Sequence, residues 1–187
     1  MESKIIIIVA PSGTGKSTLL RMIFENLPQL VWSVSTTTRE KRVGEIYGRD
    51  YFFSDSSTFE RMIKSEEFAE WANVHGNYYG TSKNYLDENL KNNRYVVCDL
   101  DVQGADAIKA IYKDKAQAIF IEPPSVEILE QRLRKRATES TQVIQTRINN
   151  AKSELKRKND YDYLVKNEDL DCAYRDLYQV FCEIMKI

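Results

Sequence analysis

The sequence predicts an α/β fold in which helices cover both faces of a parallel β-sheet, and three observations favour this class. The run Ile5–Val9 is apolar and β-branched throughout, as is typical of a central strand buried on both faces. Further apolar strands at 95–100, 116–121 and 163–165 alternate with helical patterns, which is the order of a parallel sheet. A chain of 187 residues, 42% of them hydrophobic, is long enough for one domain with its own core.

The predicted elements between the first strand and residue 82 are short and irregularly spaced. A helix over Ser17–Leu27 is indicated by its apolar face and by Pro28, which cannot continue it. Short strands are predicted over 31–34 and 51–53, and a helix is predicted to begin at Ser57 or Thr58 and to end at Lys64. Two further strands, over 68–74 and 78–79, are joined by the turn His75-Gly76-Asn77. Residues 33–82 are therefore predicted to be an insertion with a smaller antiparallel sheet.

Beyond residue 82 the regular alternation of strands and helices returns. Three helices are predicted from their caps or bounds: one that Ser82 caps and that reaches about Asn92, one over Gln103–Tyr112, and one that Ser125 caps. Two more are predicted from an apolar face at helical spacing, formed in the first by Ile144, Ile148, Ala151 and Leu155 and in the last by Leu170, Ala173, Leu177, Val180 and Ile184. A polar break lies at 138–141. The chain divides into a core of about 1–32, 83–123 and 156–187, the insertion of about 33–82 and a helical segment of about 124–155.

Composition and charge exclude several classes of function. A formal net charge of −1 gives no overall field that would attract a nucleic acid or a membrane surface, and the apolar run that ends at Ala10 is too short to span a bilayer. The single His75 cannot anchor a histidine-based metal site, and three unevenly spaced cysteines indicate reduced, mostly buried thiols. We expect a cytoplasmic protein, either a monomer or a homodimer, with neither nucleic-acid nor membrane partners.

The most specific motif is a glycine-rich loop directly after the first strand. Gly13 and Gly15 allow the backbone to curl so that its N–H groups face an anion, and the following helix adds the positive end of its dipole. Lys16 supplies a point charge for the β- and γ-phosphates, and the Ser17 hydroxyl is placed to ligate Mg²⁺. Ala10 stands where the motif has glycine, which alanine can replace if its φ is negative. The loop predicts a nucleoside triphosphate site formed by Ala10, Pro11, Ser12, Gly13, Thr14, Gly15, Lys16, Ser17 and Thr18.

A polar segment of the insertion has the residues that a phosphate monoester requires. Hydroxyl side chains from Ser35 onward precede Arg39 and Arg42, and Tyr51 follows them. Guanidinium groups bind phosphate oxygens bidentately, and hydroxyls donate single hydrogen bonds. On composition alone, a solvated basic loop explains the segment as well.

A carboxylate, that of Glu70, lies within the predicted aromatic hairpin, between Phe68 and Trp71. Such a carboxylate is costly to bury unless it meets hydrogen-bond donors. Guanine offers two adjacent donors, N1–H and the 2-amino group, whereas adenine presents an acceptor at N1. A guanine site is one interpretation, and an ordinary surface position on a strand is the other.

Charged residues at two further places extend the pattern. Asp99 and Asp101 follow a strand predicted to run parallel to the first one, at the end of the sheet where ligands of open α/β folds bind. Arg132, Arg136 and Arg147 flank the polar break, where cations could close on transferring phosphates. Helix capping by the aspartates and a solvated helix face for the arginines are the structural alternatives.

Together the five motifs resemble the guanylate kinase family, and the resemblance extends from Ala10 to the stretch 167–171. It implies a P-loop fold like that of nucleoside monophosphate kinases, with a small mixed-sheet GMP-binding insertion at 33–82 and a helical lid at 124–155. It also implies transfer of the γ-phosphoryl group of ATP to GMP, and to dGMP, with Mg²⁺. No side chain need act as a nucleophile, because positioning and charge stabilisation suffice for phosphoryl transfer.

The resemblance also implies a role for each matching residue. Guanine would contact Ser35, Glu70, Thr81 and Asp101, and the GMP phosphate would contact Arg39, Arg42, Tyr51 and Tyr79. Arg132 and Asn167 would bind ATP, the latter near the adenine. Catalysis would depend on Lys16, Arg39, Asp99, Arg136 and Arg147, with Asp99 also bordering GMP.

Two departures and two alternatives accompany this resemblance. Ala10 and Ala137 stand where the family usually has glycine. Guanylate-kinase-like scaffold domains keep the fold but bind peptides, and they generally lack the phosphate loop that this chain retains. A kinase for another small phosphate ester is the second alternative, which the pairing of Glu70 with Ser35 disfavours.

Overall fold

The computed structural model describes residues 3–74, 76–135 and 141–187. Its strands are β1 (Ile5–Val9), β2 (Leu30–Trp32), β3 (Thr36–Thr37), β4 (Phe52–Phe53), β5 (Phe68–Val74), β6 (Asn77–Ser82), β7 (Tyr95–Asp99), β8 (Ala116–Glu122) and β9 (Tyr163–Lys166). Its helices are α1 (Lys16–Asn26), α2 (Ser56–Lys64), α3 (Lys83–Lys91), α4 (Val102–Tyr112), α5 (Val126–Lys135), α6 (Thr141–Lys156) and α7 (Leu170–Met185). No helix in these ranges combines the length and the apolar character needed to cross a bilayer.

The larger sheet is parallel throughout and has the order β2-β7-β1-β8-β9. β1 occupies its centre, and its alternate side chains enter two separate cores. Ile6 and Ile8 pack among residues of α1 and α7, whereas Ile5 and Ile7 pack against Leu86 of α3 and residues of α4. All four isoleucines are fully buried. Helices therefore cover both faces of the sheet, as the sequence predicts.

The second sheet lies within the insertion and has the order β4-β3-β6-β5. Strands β3 and β4 are parallel, and the other neighbours are antiparallel. The sheet is therefore mixed, as the family resemblance implies, and the expectation of an antiparallel sheet from the sequence pattern is wrong. Phe59 of α2 stacks on Phe68 of β5 with 4.3 Å between ring centroids. Gly80 has room only for hydrogen, because a Cβ there would lie 2.8 Å from the Phe68 ring. The aromatic packing of the hairpin thus anchors α2 to this sheet.

The prediction that Ser57 or Thr58 opens α2 is wrong. Asp55 caps the helix instead, and its carboxylate accepts a hydrogen bond from the backbone N–H of Thr58 at 2.8 Å. The hydroxyls of Ser57 and Thr58 also donate to Asp55. An ionised carboxylate accepts several charge-assisted hydrogen bonds, which is why it takes the capping position and why the pKa of Asp55 lies well below its usual range.

Two predictions about burial are wrong as well. Leu170 is 40% exposed, because it begins α7 and the buried face of this helix starts only at Ala173. The three cysteines are free thiols, but only Cys98 is buried. Cys172 is exposed in the first turn of α7, where its sulfur lies 3.2 Å from the Arg175 guanidinium.

Candidate active site

The predicted phosphate loop connects β1 to α1 and lines a cavity of about 400 Å³. Gly13 and Gly15 have φ angles of +92° and +99°, in the left-handed region that glycine adopts without strain. Ala10 is not among the non-glycine residues with positive φ in the described chain, so alanine meets the condition that its replacement of glycine requires. The other walls of the cavity are Asp99, Leu100, Asp101 and Glu154.

Lys16 and Asp99 form an ion pair inside this cavity. Lys16 begins α1, and Asp99 ends β7, which runs parallel to β1 with Asp99 paired to Ile8. The phosphate loop and the aspartate therefore leave the sheet at the same edge. This arrangement places a cation and a carboxylate side by side where the sequence predicts the terminal phosphates of ATP.

The phosphate loop is held by hydrogen bonds from residues far along the chain. The Thr14 carbonyl accepts hydrogen bonds from the amide nitrogen of Asn167 at 2.7 Å and from the Arg132 guanidinium at 3.2 Å. Arg147 of α6 donates to the Ser12 hydroxyl at 3.0 Å. The structure thus brings the predicted residues Arg132, Arg147 and Asn167 to the loop, whereas Arg136 lies outside the described residues, as does Ala137.

A second cluster forms around Arg39 in the insertion. The Arg39 guanidinium lies 5.3 Å from the Tyr51 ring centroid, and the Tyr51 and Tyr79 rings are 6.0 Å apart. Glu45 holds Arg39 with a hydrogen bond of 2.6 Å, which is the main reason that the pKa of Arg39 is raised. Arg42 is exposed, and its backbone N–H donates to the same Glu45 carboxylate at 2.8 Å. Three predicted phosphate ligands therefore share one surface, and Arg42 lies beside them on its loop.

A third cluster surrounds Glu70 on β5. Its carboxylate accepts a hydrogen bond from the Thr81 hydroxyl at 2.5 Å. It also lies against the first turn of α4, because a Cβ at Gly104 would be 3.3 Å from Glu70 Oε2 and 3.4 Å from Asp101 Oδ1. Burial raises the pKa of Glu70; the Thr81 hydrogen bond opposes this rise and the negative charge of Asp101 adds to it. Asp101 caps α4 through the backbone N–H of Gly104 at 2.8 Å, so the capping alternative also holds for this residue.

Ser35 precedes β3 in the same sheet as Glu70 and Thr81. It is half-buried, and its carbonyl accepts a hydrogen bond from the backbone N–H of Phe52 at 2.9 Å. This bond fixes the position of Ser35 at the start of the strand. Four predicted guanine ligands therefore come from the insertion sheet and from the α4 cap that meets it: Ser35, Glu70, Thr81 and Asp101.

The residues at the phosphate loop suit a magnesium ion that the substrate helps to hold. Among the described residues, no group of three or more His, Cys, Asp or Glu side chains could hold a metal ion. The Ser17 hydroxyl and the Asp99 carboxylate both line the cavity, and they are the hard oxygen ligands that Mg²⁺ prefers. Magnesium in nucleotide sites is typically held by one or two such groups together with phosphate oxygens and water.

The same motifs in the same order characterise one family. The guanylate kinase family model matches residues 2–184. The chain belongs to the guanylate kinase family. It is therefore a kinase that transfers the γ-phosphoryl group of ATP to GMP. The enzyme is 45% identical over 179 residues to a guanylate kinase of Carboxydothermus hydrogenoformans, with 96% of this chain and 87% of the relative covered.

Other relatives agree with this assignment. A guanylate kinase of Aromatoleum aromaticum is 46% identical over 180 residues, which cover 96% of this chain and 88% of that relative. The crystal structure of guanylate kinase from Anaplasma phagocytophilum superimposes with a TM-score of 0.75 at 31% identity, over 97% of this chain and 85% of that one. The predicted fold, that of P-loop nucleoside monophosphate kinases, is thus confirmed.

Two carboxylates of the enzyme's site were not predicted. Glu45 follows Arg39 by six positions, and only the loop between them brings the two side chains together. Glu154 of α6 lines the phosphate cavity; burial raises its pKa, nearby Lys16 opposes the rise and Asp101 adds to it. The spacing of seven residues between Arg147 and Glu154, two helical turns, is the one sequence signal that could have placed Glu154 on the same face.

Proposed function

We propose that this kinase binds ATP with Mg²⁺ at the phosphate loop and GMP on the insertion, with the two sites sharing one wall. The observation that supports this arrangement most strongly is the position of Asp101. Its side chain borders the cavity of the phosphate loop and also the cleft of about 350 Å³ that contains Glu70. A nucleotide seated against Glu70 would therefore have its phosphate directed toward Lys16.

Base recognition is assigned to Glu70, with Ser35, Thr81 and Asp101 around it. The Thr81 hydroxyl donates to Oε1 of Glu70 and fixes the orientation of the carboxylate. The carboxylate can accept hydrogen bonds from guanine N1–H and from the 2-amino group together. None of these contacts involves the ribose 2′ position, so dGMP is included as an acceptor.

Phosphate binding is assigned to the Arg39 cluster, and catalysis to the charges that converge on the phosphate loop. Arg39, Arg42, Tyr51 and Tyr79 would hold the GMP phosphate so that its oxygen attacks the γ-phosphorus in line. Lys16, Arg39, Arg136 and Arg147 would balance the charge of the transition state, with Asp99 orienting Lys16. Mg²⁺, held by Ser17 together with ATP phosphates and water, would neutralise the β- and γ-oxygens.

Removal of the arginines tests the assignment of the GMP phosphate. Arg39→Ala should raise the KM for GMP by about tenfold or more, the value of a charge-assisted hydrogen bond, and should leave the KM for ATP nearly unchanged. Arg42→Ala should act in the same direction. Steady-state kinetics with each substrate varied in turn would measure both effects.

A third arginine of the same loop provides the matched control. Arg49 is exposed and its guanidinium is bound by Asp50 at 2.9 Å, so Arg49→Ala should change neither KM. An Arg39→Ala variant that affected ATP as strongly as GMP would contradict the assignment of this cluster to the GMP phosphate.

The proposal divides the enzyme into a core, the GMP-binding insertion at 33–82 and a lid at 124–155. Closure of the insertion toward the phosphate loop would exclude water, which otherwise would divert transfer into ATP hydrolysis. Small-angle scattering should show a smaller radius of gyration with GMP and a non-hydrolysable ATP analogue together. AMP in place of GMP should give no such contraction. An unchanged radius with GMP would contradict closure.

The cellular setting is proposed from the cysteines. The free thiols of all three cysteines are typical of a reducing compartment, which supports a cytoplasmic location. Both a monomer and a homodimer are compatible with the proposed site, because every residue assigned to it belongs to one chain.

A further inference from the structure

Asn167 lies beneath the phosphate loop, where its side chain is buried. It is 4% exposed, and its amide nitrogen donates to the Thr14 carbonyl at 2.7 Å. Its own position is fixed by the end of β9, since its backbone N–H donates to the Glu122 carbonyl at 2.8 Å. The family resemblance expects Asn167 near adenine, but this amide nitrogen is engaged by the loop.

The N–H, hydroxyl and carbonyl groups of Thr14 all have partners within the protein. Thr14 is 1% exposed, and its N–H and hydroxyl both donate to the Pro11 carbonyl, at 3.1 Å and 2.6 Å. Its carbonyl accepts a hydrogen bond from the Asn167 amide nitrogen and another, at 3.2 Å, from the Arg132 guanidinium. The hydrogen-bonding capacity of Thr14 is thus satisfied by protein groups.

The direction of the Thr14 carbonyl determines the direction of the next N–H group. In a planar trans peptide the C=O and the following N–H point in opposite directions. A carbonyl held toward Asn167 therefore turns the Gly15 N–H away from it, and Gly15 lines the cavity assigned to the ATP phosphates. The contact is close, because a Cβ at Gly15 would lie 2.7 Å from the Asn167 amide nitrogen.

We infer that Asn167 and Arg132 are positioning residues that fix the Thr14–Gly15 peptide so that its N–H faces the ATP phosphates. This role presupposes the ATP site proposed above and adds to it a support that does not touch the nucleotide base. Arg132 belongs to α5, so the support also links the first lid helix to the loop. Loss of either donor would let the peptide rotate and would weaken the binding of any polyphosphate.

Inorganic tripolyphosphate separates this role from contact with adenine, because it offers phosphates without a base. Asn167→Ala should raise both the KM for ATP and the inhibition constant of tripolyphosphate against ATP by about tenfold, the usual cost of one buried hydrogen bond. The KM for GMP should stay unchanged. Asn167→Asp keeps the shape and replaces the donor with an acceptor, so it should weaken tripolyphosphate at least as much as Asn167→Ala does.

Asn89 provides the control for general destabilisation. It is 7% exposed and its amide nitrogen donates to the Tyr85 carbonyl at 2.8 Å, far along the chain from the loop. Asn89→Ala should lower the thermal unfolding temperature about as much as Asn167→Ala does. It should leave the KM for ATP and the inhibition constant of tripolyphosphate unchanged.

Two results would overturn the inference. If Asn167→Ala weakens ATP but leaves tripolyphosphate inhibition unchanged, Asn167 contacts the base and does not position the loop. If neither constant changes, the Thr14–Gly15 peptide needs no such support. Failure of tripolyphosphate to compete with ATP in the unsubstituted enzyme is a different result, and it would contradict the proposed phosphate-loop site itself.

Discussion

Lys16→Met should lower kcat by at least about 100-fold, the effect of removing one preorganised electrostatic donor from a transition state. The ammonium of Lys16 lies in the phosphate cavity beside Asp99, and methionine has a similar length without the charge. The variant should fold normally, because methionine keeps the apolar part of a side chain that is only 18% exposed. Steady-state kinetics at saturating ATP and GMP would measure the loss.

Lys91→Met serves as the matched control for this prediction. Lys91 is exposed at the end of α3 and lines neither the phosphate cavity nor the cleft beside Glu70, so its substitution should leave kcat unchanged. Near-normal turnover of Lys16→Met, with an intact fold by circular dichroism, would refute the assignment of the phosphate loop.

Glu70→Gln should lower kcat/KM for GMP by about 100-fold or more, since it would affect both charge-assisted hydrogen bonds that we propose between guanine and this carboxylate. Glutamine keeps the volume of the side chain but removes its charge and one acceptor position. AMP should be a poor substrate of both forms and should lose less, so the ratio of kcat/KM between GMP and AMP should shrink. Kinetics with both nucleotides in the native enzyme and the variant would give this ratio.

The raised pKa of Glu70 provides an independent check on the same residue. Because burial raises this pKa, Glu70 takes up a proton at a higher pH than an ordinary glutamate does. Only the ionised form can accept both guanine donors, so the KM for GMP should rise as the pH falls through that pKa. Glu70→Gln should lack this rise, whereas exposed Glu67→Gln should keep it. An unchanged ratio of kcat/KM between GMP and AMP in Glu70→Gln would show that Glu70 does not recognise guanine.

Local patterns were sufficient to predict the elements whose sequence signal lies in adjacent residues. The β-branched run Ile5–Val9 fixed the central strand, and the two glycines at 13 and 15 fixed the curl of the loop after it. The turn before Asn77 joined the predicted hairpin, although His75 itself lies outside the described residues. In each case a short stretch of chain contains the signal that predicts its conformation.

Contacts between distant residues could not be predicted from such patterns. Asn167 and Thr14 are 153 positions apart, and only the pairing of β9 with β8 and of β8 with β1 brings them together. Competition among near neighbours was also misjudged, because Asp55 displaced two hydroxyl residues as the cap of α2. The predicted burial of Leu170 is wrong because periodicity indicates the apolar face of a helix but not the turn at which its packing begins.

The most direct test of the account is a coupled assay of ADP formation from ATP with GMP, AMP, CMP and UMP in turn. The site around Glu70 predicts rapid ADP formation with GMP and a kcat/KM at least about 1,000-fold lower with each of the others, because none of them presents two adjacent hydrogen-bond donors to the carboxylate. Comparable rates with AMP would contradict guanine recognition at Glu70. Absence of ADP formation with all four would contradict the assignment of the two clefts to phosphoryl transfer.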